Sequence, residues 1–198
     1  YYMKNFTDFK KKLTPLSLVA VQTIKYSNDF NKEYEYIKNL EYKHLLKNRV
    51  NTSVNEYVIQ ETPLKKLYDF FTESINNYTH SILQSEKKIK ISESWTTRAK
   101  KGESTEPHIH TSIVNGVFYF NVPDEKTPLI FNTYNCLDER YDIPIKVSKG
   151  DLVLFPNELS HWVPENPNKE NRYCLAFNTI SEEAFNNSVA LSNSYNKK

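Results

Sequence analysis

Residues 150–179 read GDLVLFPNELSHWVPENPNKENRYCLAFNT, and this stretch contains three short apolar runs separated by turns. The runs are rich in β-branched and aromatic residues, and proline and asparagine mark the turns, which is the pattern of short β-strands. The same pattern extends upstream to about residue 88. Short strands at close spacing are typical of a β-sandwich or barrel. The predicted strands span 89–95, 113–121, 128–133, 143–147, 151–155, 161–164 and 171–179.

The chain before residue 88 has a different pattern. An apolar, β-branched segment predicts a strand over 16–26. Apolar residues at helical spacing predict one helix near 30–47 and a second from Pro63 to about residue 86. We therefore expect a single domain of the mainly β, α+β class. Its expected parts are an N-terminal strand with supporting helices over 1–87, a β core over 88–180 and a flexible, Asn/Ser/Lys-rich tail over 181–198.

The composition excludes several classes of protein. The 198 residues include 26 Lys+Arg and 24 Asp+Glu, for a formal net charge of +2, so the chain lacks the basic field of a general nucleic-acid binder. No apolar run of about 18 residues indicates a membrane span, and no signal peptide is visible. Cys136 and Cys174 are expected to be small buried apolar residues. We expect a cytoplasmic protein without nucleic-acid or membrane partners; the sequence assigns no oligomeric state.

Three of the five histidines lie in the predicted β core. His108 and His110 are two residues apart, so on an extended segment both imidazoles point to the same face. His161 follows 51 residues later, after the turn that ends at Pro156. Three imidazoles form a site for Zn, Cu, Fe or Ni that leaves coordination positions open. His44 and His80 fall in the predicted helices and are expected on helix surfaces.

At this point the chain resembles a known family, the 2-oxoglutarate/Fe(II)-dependent oxygenases of marine bacteria and their phages, which are related to prolyl hydroxylases. The resemblance is carried by 94–96, 107–110, 115–120, 150–156, His161 and 172–178. It implies a double-stranded β-helix (jelly roll) fold. It also implies the use of Fe(II), 2-oxoglutarate and dioxygen by a hydroxylase of an amino-acid or peptidyl side chain or a small metabolite. If the chain is phage-encoded, the cytoplasm is that of the host.

The resemblance also implies roles for individual residues. It implies that His108 is the first iron ligand and His161 the ligand farther along the chain. It also implies that Arg172 pairs with the distal carboxylate of 2-oxoglutarate, a task that suits a guanidinium because it binds carboxylates bidentately. Tyr119 could donate a phenol hydrogen bond to the same carboxylate. Trp95 and Asn178 are further candidates for the pocket.

One departure from the wider superfamily concerns the third metal ligand. The common iron site has two histidines and one carboxylate, but His110 stands where the carboxylate is expected. Either His110 is the third ligand, or Glu106 supplies an oxygen, or the site is incomplete or completed by water. A neutral three-histidine site also suits zinc.

Two other functions compete with the oxygenase. A cupin-type metal dioxygenase or isomerase has a similar glycine-to-proline turn followed by histidine, although its first motif needs a glutamate after the HxH, which this chain lacks. The second is a non-catalytic binding module, because jelly rolls have many functions. Stimulation of turnover by 2-oxoglutarate separates the oxygenase from both.

Overall fold

The computed structural model describes residues 20–44, 46–123, 127–134 and 140–195. Its helices are α1 (Asn31–Lys38), α2 (Lys65–Ser81) and α3 (Glu182–Tyr195), and 3-10 turns at Val58–Gln60 and Thr62–Leu64 precede α2. Pro63 lies in the second turn, where a backbone N–H donor is not needed. Across these described ranges, no helix is both long enough and apolar enough to cross a bilayer.

The described strands form two antiparallel sheets. In chain order the strands are β1 (Gln22–Lys25), β2 (Tyr42–Lys43), β3 (Asn51–Ser53), β4 (Ile89–Ala99), β5 (Thr105–His108), β6 (Val114–Tyr119), β7 (Leu129–Tyr134), β8 (Arg140–Ile145), β9 (Asp151–Pro156), β10 (Ser160–Val163) and β11 (Arg172–Ser181). Among the described residues, the major sheet has the order β1–β9–β6–β11–β4–β3–β2, and the minor sheet has the order β5–β10–β7–β8. The predicted antiparallel β core and the mainly β, α+β class are confirmed.

Apolar side chains fill two layers, one on each face of the major sheet. On the outer face, the ring of Phe71 in α2 stacks on Phe177 of β11 at a centroid distance of 5.3 Å and meets Phe118 of β6 at 5.4 Å. On the inner face, the minor sheet packs through Phe131 of β7 against Phe155 of β9 at 5.0 Å. The candidate site described below lies in this inner layer, between the two sheets.

Gly116 of β6 allows the outer layer to pack closely. It lies opposite Phe177 in the β6–β11 ladder, and a Cβ added at Gly116 would lie only 2.0 Å from the Phe177 ring. The missing side chain therefore lets the Phe177 ring lie over the strand, where it contacts Phe71.

Some predicted element boundaries are wrong. The helix predicted near 30–47 ends at Lys38, because the Asn39 side chain donates to the carbonyl of Glu35 and Tyr42 then pairs with Ser53 in the major sheet. His44 is consequently not on a helix. Helix α3 occupies most of the segment predicted to be a flexible tail.

The periodicity did not predict β2, β3 or β5, which have two to four residues each. Because β1, β2 and β3 join the major sheet, this sheet includes strands from the N-terminal part predicted over 1–87 as well as from the β core predicted over 88–180. Residues 16–19 of the predicted first strand, and Cys136, lie outside the described residues.

Candidate metal centre

The three histidines of the predicted core come together between the sheets. His108 ends β5, His110 follows two residues later, and His161 lies in β10 opposite His108 in the ladder. Their ring centroids are 4.3 to 5.2 Å apart. One ligand atom from each histidine lies within 4.8 Å of the other two. The fold thus places three potential metal-binding nitrogens around one point.

Backbone hydrogen bonds orient two of the imidazoles. Nδ1 of His108 lies 2.7 Å from the carbonyl oxygen of Glu106, and Nδ1 of His161 lies 3.1 Å from that of Leu159. A carbonyl can only accept, so each Nδ1 carries the proton and donates it. The Nε2 of each ring therefore carries the lone pair that can bind a metal. In metal-binding histidines, a hydrogen bond from the other ring nitrogen, here Nδ1–H, fixes the tautomer in this way.

Burial keeps all three imidazoles neutral. Desolvation lowers the pKa of His108, and it lowers the pKa of His110 to about 4 with a further contribution from the neighbouring charge of His108. The pKa of His161 falls to about 3, again mainly through desolvation, although its hydrogen bond to Leu159 acts in the opposite direction. At neutral pH the cluster offers neutral nitrogen donors, the form that binds metals.

The alternative oxygen ligand, Glu106, has another partner. Its carboxylate forms an ion pair with the guanidinium of Arg49, on the segment that precedes β3. Within the described residues, the group that could hold a metal comprises His108, His110 and His161 and does not include Glu106. The geometry thus places His110, and not the carboxylate, with the other two histidines.

Arg172 and Tyr119 face the same cavity as the histidines. The cavity has a volume of about 530 Å³ and is lined by all five of these residues. Arg172 is only 4% exposed, and its Nη1 and the Tyr119 Oη are buried without a hydrogen-bond partner among the described residues. Burial raises the pKa of the Tyr119 phenol well above its usual value, so the group keeps its proton. Two buried donors without acceptors fit an anionic ligand.

Most of the remaining wall is apolar. Val117, Leu129, Phe155, Val163 and Ala176 line the cavity, and the ring of Phe155 packs against His161 at a centroid distance of 4.7 Å. Such a wall excludes water from the reacting part of a ligand. The donor set and the two unpartnered donors together fit a metal ion with a bound carboxylate.

Other residues named from the sequence fall inside and outside the cavity. Trp95 lines it, with its ring 5.7 Å from that of His110. Asn178 lines an adjoining groove of about 300 Å³. His80, in α2, faces Glu86 and is remote from the cluster in the fold. Cys174 is buried, as predicted, and lines the cavity.

Several cavity residues were not singled out from the sequence, among them Arg49 and Asn115. Arg49 gave no local signal, because only the fold brings it to Glu106. Asn115 lies in the strand predicted over 113–121, which is observed as β6, but no role was assigned to it. The signal that could have identified Asn115 is its spacing of two and four from Val117 and Tyr119, which puts all three on one face of the strand.

A two-sheet antiparallel β fold with a histidine triad between its sheets is the architecture of a metal-dependent jelly-roll protein. Comparison with known proteins supports this class. The model of the family described as "Putative 2OG-Fe(II) oxygenase" matches residues 93–178. That segment includes all three histidines, Tyr119 and Arg172. No curated protein is similar enough in sequence to be matched.

Solved structures show the same fold at low sequence identity. An oxidoreductase of the 2OG-Fe(II) oxygenase family from Burkholderia pseudomallei has a TM-score of 0.63 and 9% identity, covering 90% of this chain and 91% of that one. HygX from Streptomyces hygroscopicus, solved with nickel, 2-oxoglutarate and hygromycin B, has a TM-score of 0.58, 12% identity and coverages of 84% and 87%. A prolyl hydroxylase from Trichoplax adhaerens, in complex with a peptide, has a TM-score of 0.56, 14% identity and coverages of 91% and 96%.

The segment 93–178 belongs to the 2OG-Fe(II) oxygenase family, and the chain has the jelly-roll fold of its structural neighbours. The predictions of family, fold and enzyme class, a 2OG-Fe(II)-dependent oxygenase, are confirmed. Membership of the marine bacterial and phage type of this family stays a prediction.

Proposed function

We propose that this chain is a 2-oxoglutarate- and Fe(II)-dependent hydroxylase that acts on an amino-acid or peptidyl side chain or a small metabolite. In this proposal, His108, His110 and His161 bind Fe(II), and Arg172 and Tyr119 bind the distal carboxylate of 2-oxoglutarate. The observation that carries the proposal is the single cavity that combines three neutral imidazoles with two unpartnered buried donors.

Each of these residues has a defined task. Nδ1 of His108 and of His161 is bound to a backbone carbonyl, so each ring presents Nε2 to the ion without having to reorient. Arg172 supplies a buried positive charge with an open Nη1, and Tyr119 adds a protonated phenol on the neighbouring strand. Both donors are held by β-strands, so the carboxylate is positioned by rigid elements.

The apolar wall supports the same reaction class. When bound, Fe(II) and 2-oxoglutarate would supply an oxidation in which 2-oxoglutarate loses CO2 and becomes succinate, with one oxygen atom of dioxygen entering succinate and the other converting a substrate C–H bond to C–OH. Phe155 and Val117 surround the site with apolar groups and limit the access of water. No protein nucleophile or general base is needed for this chemistry.

The experiment that tests the proposal combines metal analysis with a 2-oxoglutarate-to-succinate assay in the absence of a prime substrate. The wild-type protein should bind one Fe(II) and release succinate slowly. His108→Ala and His161→Ala should lose iron, while His80→Ala, at an exposed histidine outside the cavity, should retain it. An iron-loaded wild-type protein that neither binds nor consumes 2-oxoglutarate would overturn the proposal and favour the cupin or binding-module alternatives.

A further inference from the structure

Two asparagines lie side by side next to the metal centre. Asn115 of β6 and Asn178 of β11 are register partners in the major sheet. Directly opposite residues of an antiparallel pair point to the same face, with Cβ atoms about 4.5–5.5 Å apart. Asn115 lines the cavity, and Asn178 lines the adjoining groove, whose wall also includes His110 and Trp95. The pair therefore lies where the cavity and the groove meet.

One hydrogen bond fixes the orientation of each side-chain amide. Ser112 Oγ donates to Asn115 Oδ1 at 2.6 Å, which turns Asn115 Nδ2 away from Ser112. Asn178 Nδ2 donates to the Glu93 carboxylate at 3.1 Å, which leaves Asn178 Oδ1 on the other side. The two amides thus present opposite functions, a donor on Asn115 and an acceptor on Asn178.

Neither of these atoms has a partner in the part of the chain that the structure describes. Asn115 is 2% exposed and Asn178 is 8% exposed, and both Asn115 Nδ2 and Asn178 Oδ1 are fully shielded without a hydrogen bond. Burying a polar atom without a partner costs stability, so each such atom needs an explanation. Seven other buried side-chain atoms of the described residues also lack a partner. Asn115 and Asn178 differ in that a donor and an acceptor lie on facing residues beside the metal centre, the arrangement that a ligand with both complements would fit.

The strand geometry at Asn178 supports this interpretation. The β4–β11 ladder keeps a continuous register from Arg172 to Asn178, which pairs with Glu93, and then skips Ser92, so the extra residue of the bulge lies in β4. Bulges occur next to active sites, where they bend a strand and change the direction of its side chains. This bulge adjoins Glu93, whose carboxylate accepts from Asn178 Nδ2 and orients the Asn178 amide.

We propose that Asn115 and Asn178 recognise an amide group of the prime substrate. Asn115 Nδ2 donates to the amide carbonyl oxygen, and Asn178 Oδ1 accepts from the amide N–H. This inference rests on the proposed function, because it assigns the substrate class of the same site. The substrate is then a peptide or a small carboxamide, and its amide lies beside the carbon that reacts.

The groups around the pair decide which donor and acceptor it can take. The charges at the cavity wall and in the groove are largely tied up in two ion pairs, Arg49 with Glu106 and Lys43 with Glu56. The Glu93 carboxylate also lines the groove, where it accepts from Asn178 Nδ2. A free amino acid can satisfy the two asparagine atoms only with separate charged groups, its carboxylate at Asn115 Nδ2 and its ammonium at Asn178 Oδ1. A peptide or capped amino acid offers acceptor and donor in one neutral amide, and burying a neutral amide costs less than burying two charged groups.

The first test uses the simplest amide as its probe. N-Methylacetamide is titrated into zinc-loaded, 2-oxoglutarate-bound protein labelled with ¹⁵N-asparagine, and the side-chain NH₂ resonances are assigned in the wild type. We expect the Asn115 and Asn178 signals to shift saturably. Acetate and ethanol at equal concentration should leave them in place, and Asn76, exposed on α2, is the internal control. Unshifted signals, or equal shifts with acetate or ethanol, would overturn the proposal.

The second test uses turnover. The iron-loaded enzyme is given N-acetyl amino-acid N-methylamides in one series and the free amino acids in another, and succinate release is measured. For the best capped compound, Asn115→Leu and Asn178→Leu should each raise KM about fivefold to tenfold, the effect of one lost hydrogen bond, whereas Asn76→Leu should not. Stronger stimulation by the free amino acids, by contrast, contradicts the amide assignment.

The proposed function is judged separately by 2-oxoglutarate binding. The two leucine variants should bind zinc and 2-oxoglutarate as the wild type does, because neither asparagine is assigned to those ligands. If the wild-type protein binds no 2-oxoglutarate, the proposed function fails. If it binds 2-oxoglutarate and the asparagine signals do not respond to N-methylacetamide, only the amide inference fails.

Discussion

Replacement of Arg172 by methionine should have opposite effects on stability and on cosubstrate binding. Arg172 is buried, and its Nη1 has no hydrogen-bond partner among the described residues. In the absence of 2-oxoglutarate, the guanidinium is a buried charge that forms no ion pair with any carboxylate in the described part of the chain. An apolar side chain of similar length removes that desolvation cost. We therefore expect Arg172→Met to unfold at a higher temperature than the wild type when no 2-oxoglutarate is present.

The size of both effects follows from the contacts. Removal of the buried charge should raise the free energy of unfolding by about 1 kcal/mol. For a domain of this size, that corresponds to an increase of roughly 2–4 °C in Tm. Hydrogen bonds to charged groups contribute about 1.5–3 kcal/mol each, so the loss of a two-bond contact should weaken 2-oxoglutarate binding by about 100-fold or more.

Thermal unfolding of the metal-loaded protein measures both effects in one assay. At a 2-oxoglutarate concentration of about 100 times Kd, the wild type should gain about 2.7 kcal/mol, and the variant should gain almost nothing at the same concentration. Arg98→Met is the matched control: the Arg98 guanidinium lies 4.5 Å from the centre of the Tyr42 ring, and Arg98 is not part of the cavity wall. That variant should keep the full response to 2-oxoglutarate. A normal response from Arg172→Met would refute the assignment of Arg172.

Three further predictions concern Tyr119, Gly116 and Cys174. Tyr119→Phe removes one unpartnered buried hydroxyl and should weaken 2-oxoglutarate binding about fivefold by calorimetry, with unchanged metal content; an unchanged Kd would exclude the phenol from the site. Gly116→Ala places a Cβ 2.0 Å from the Phe177 ring and should lower the free energy of unfolding in urea by about 1–3 kcal/mol, and Phe177→Leu in the same chain should recover part of the loss. Burial raises the pKa of the Cys174 thiol to about 11 from an ordinary 9.0, so its thiolate fraction at pH 8 is about 100-fold below that of an ordinary thiol. In a Cys136→Ser chain, iodoacetamide should therefore modify Cys174 only after unfolding, as followed by mass spectrometry, and rapid modification of the folded protein would contradict the burial.

The sequence predicted those parts of the fold in which local pattern and burial agree. The strand predicted over 151–155 is observed as Asp151–Pro156, because its apolar residues are buried between the helices and the minor sheet. The helix after Pro63 is equally clear, since Leu67, Phe71 and Ile75 form one buried stripe. In both segments the local preference and the tertiary contacts favour the same structure.

The errors occur where tertiary contacts override a local preference. Helical spacing of apolar residues predicted a helix to about residue 47, but the Tyr42 hydroxyl donates to the Ile37 carbonyl and accepts from Thr96 Oγ1, which holds Tyr42 in β2. The contact with Thr96 cannot be read from local sequence, because it joins residues that are 54 positions apart along the chain.

The sequence predicted which histidines form the candidate site, but it did not predict the ion pair beside them. The two-residue spacing predicted that His108 and His110 point to one face, and His161 was the third histidine of the predicted β core; the structure places these three side chains together. The sequence could not decide between His110 and Glu106, because that choice depends on Arg49, which precedes β3 and engages the Glu106 carboxylate. Whether the Glu106 carboxylate is available to the centre thus depends on its ion pair with Arg49, a residue that is distant along the chain.

The same ion pair has a consequence for the charge of the site. Glu106 is bound to Arg49 and the pKa values of all three histidines are lowered, so the candidate metal-binding group found among the described residues contains no negative ligand. Arg172 adds a positive charge to the same cavity. In the proposed function, the two carboxylates of 2-oxoglutarate offset most, though not all, of the combined positive charge of Fe(II) and Arg172. Cosubstrate and metal then stabilise each other's binding, and by linkage each raises the affinity of the other by the same factor.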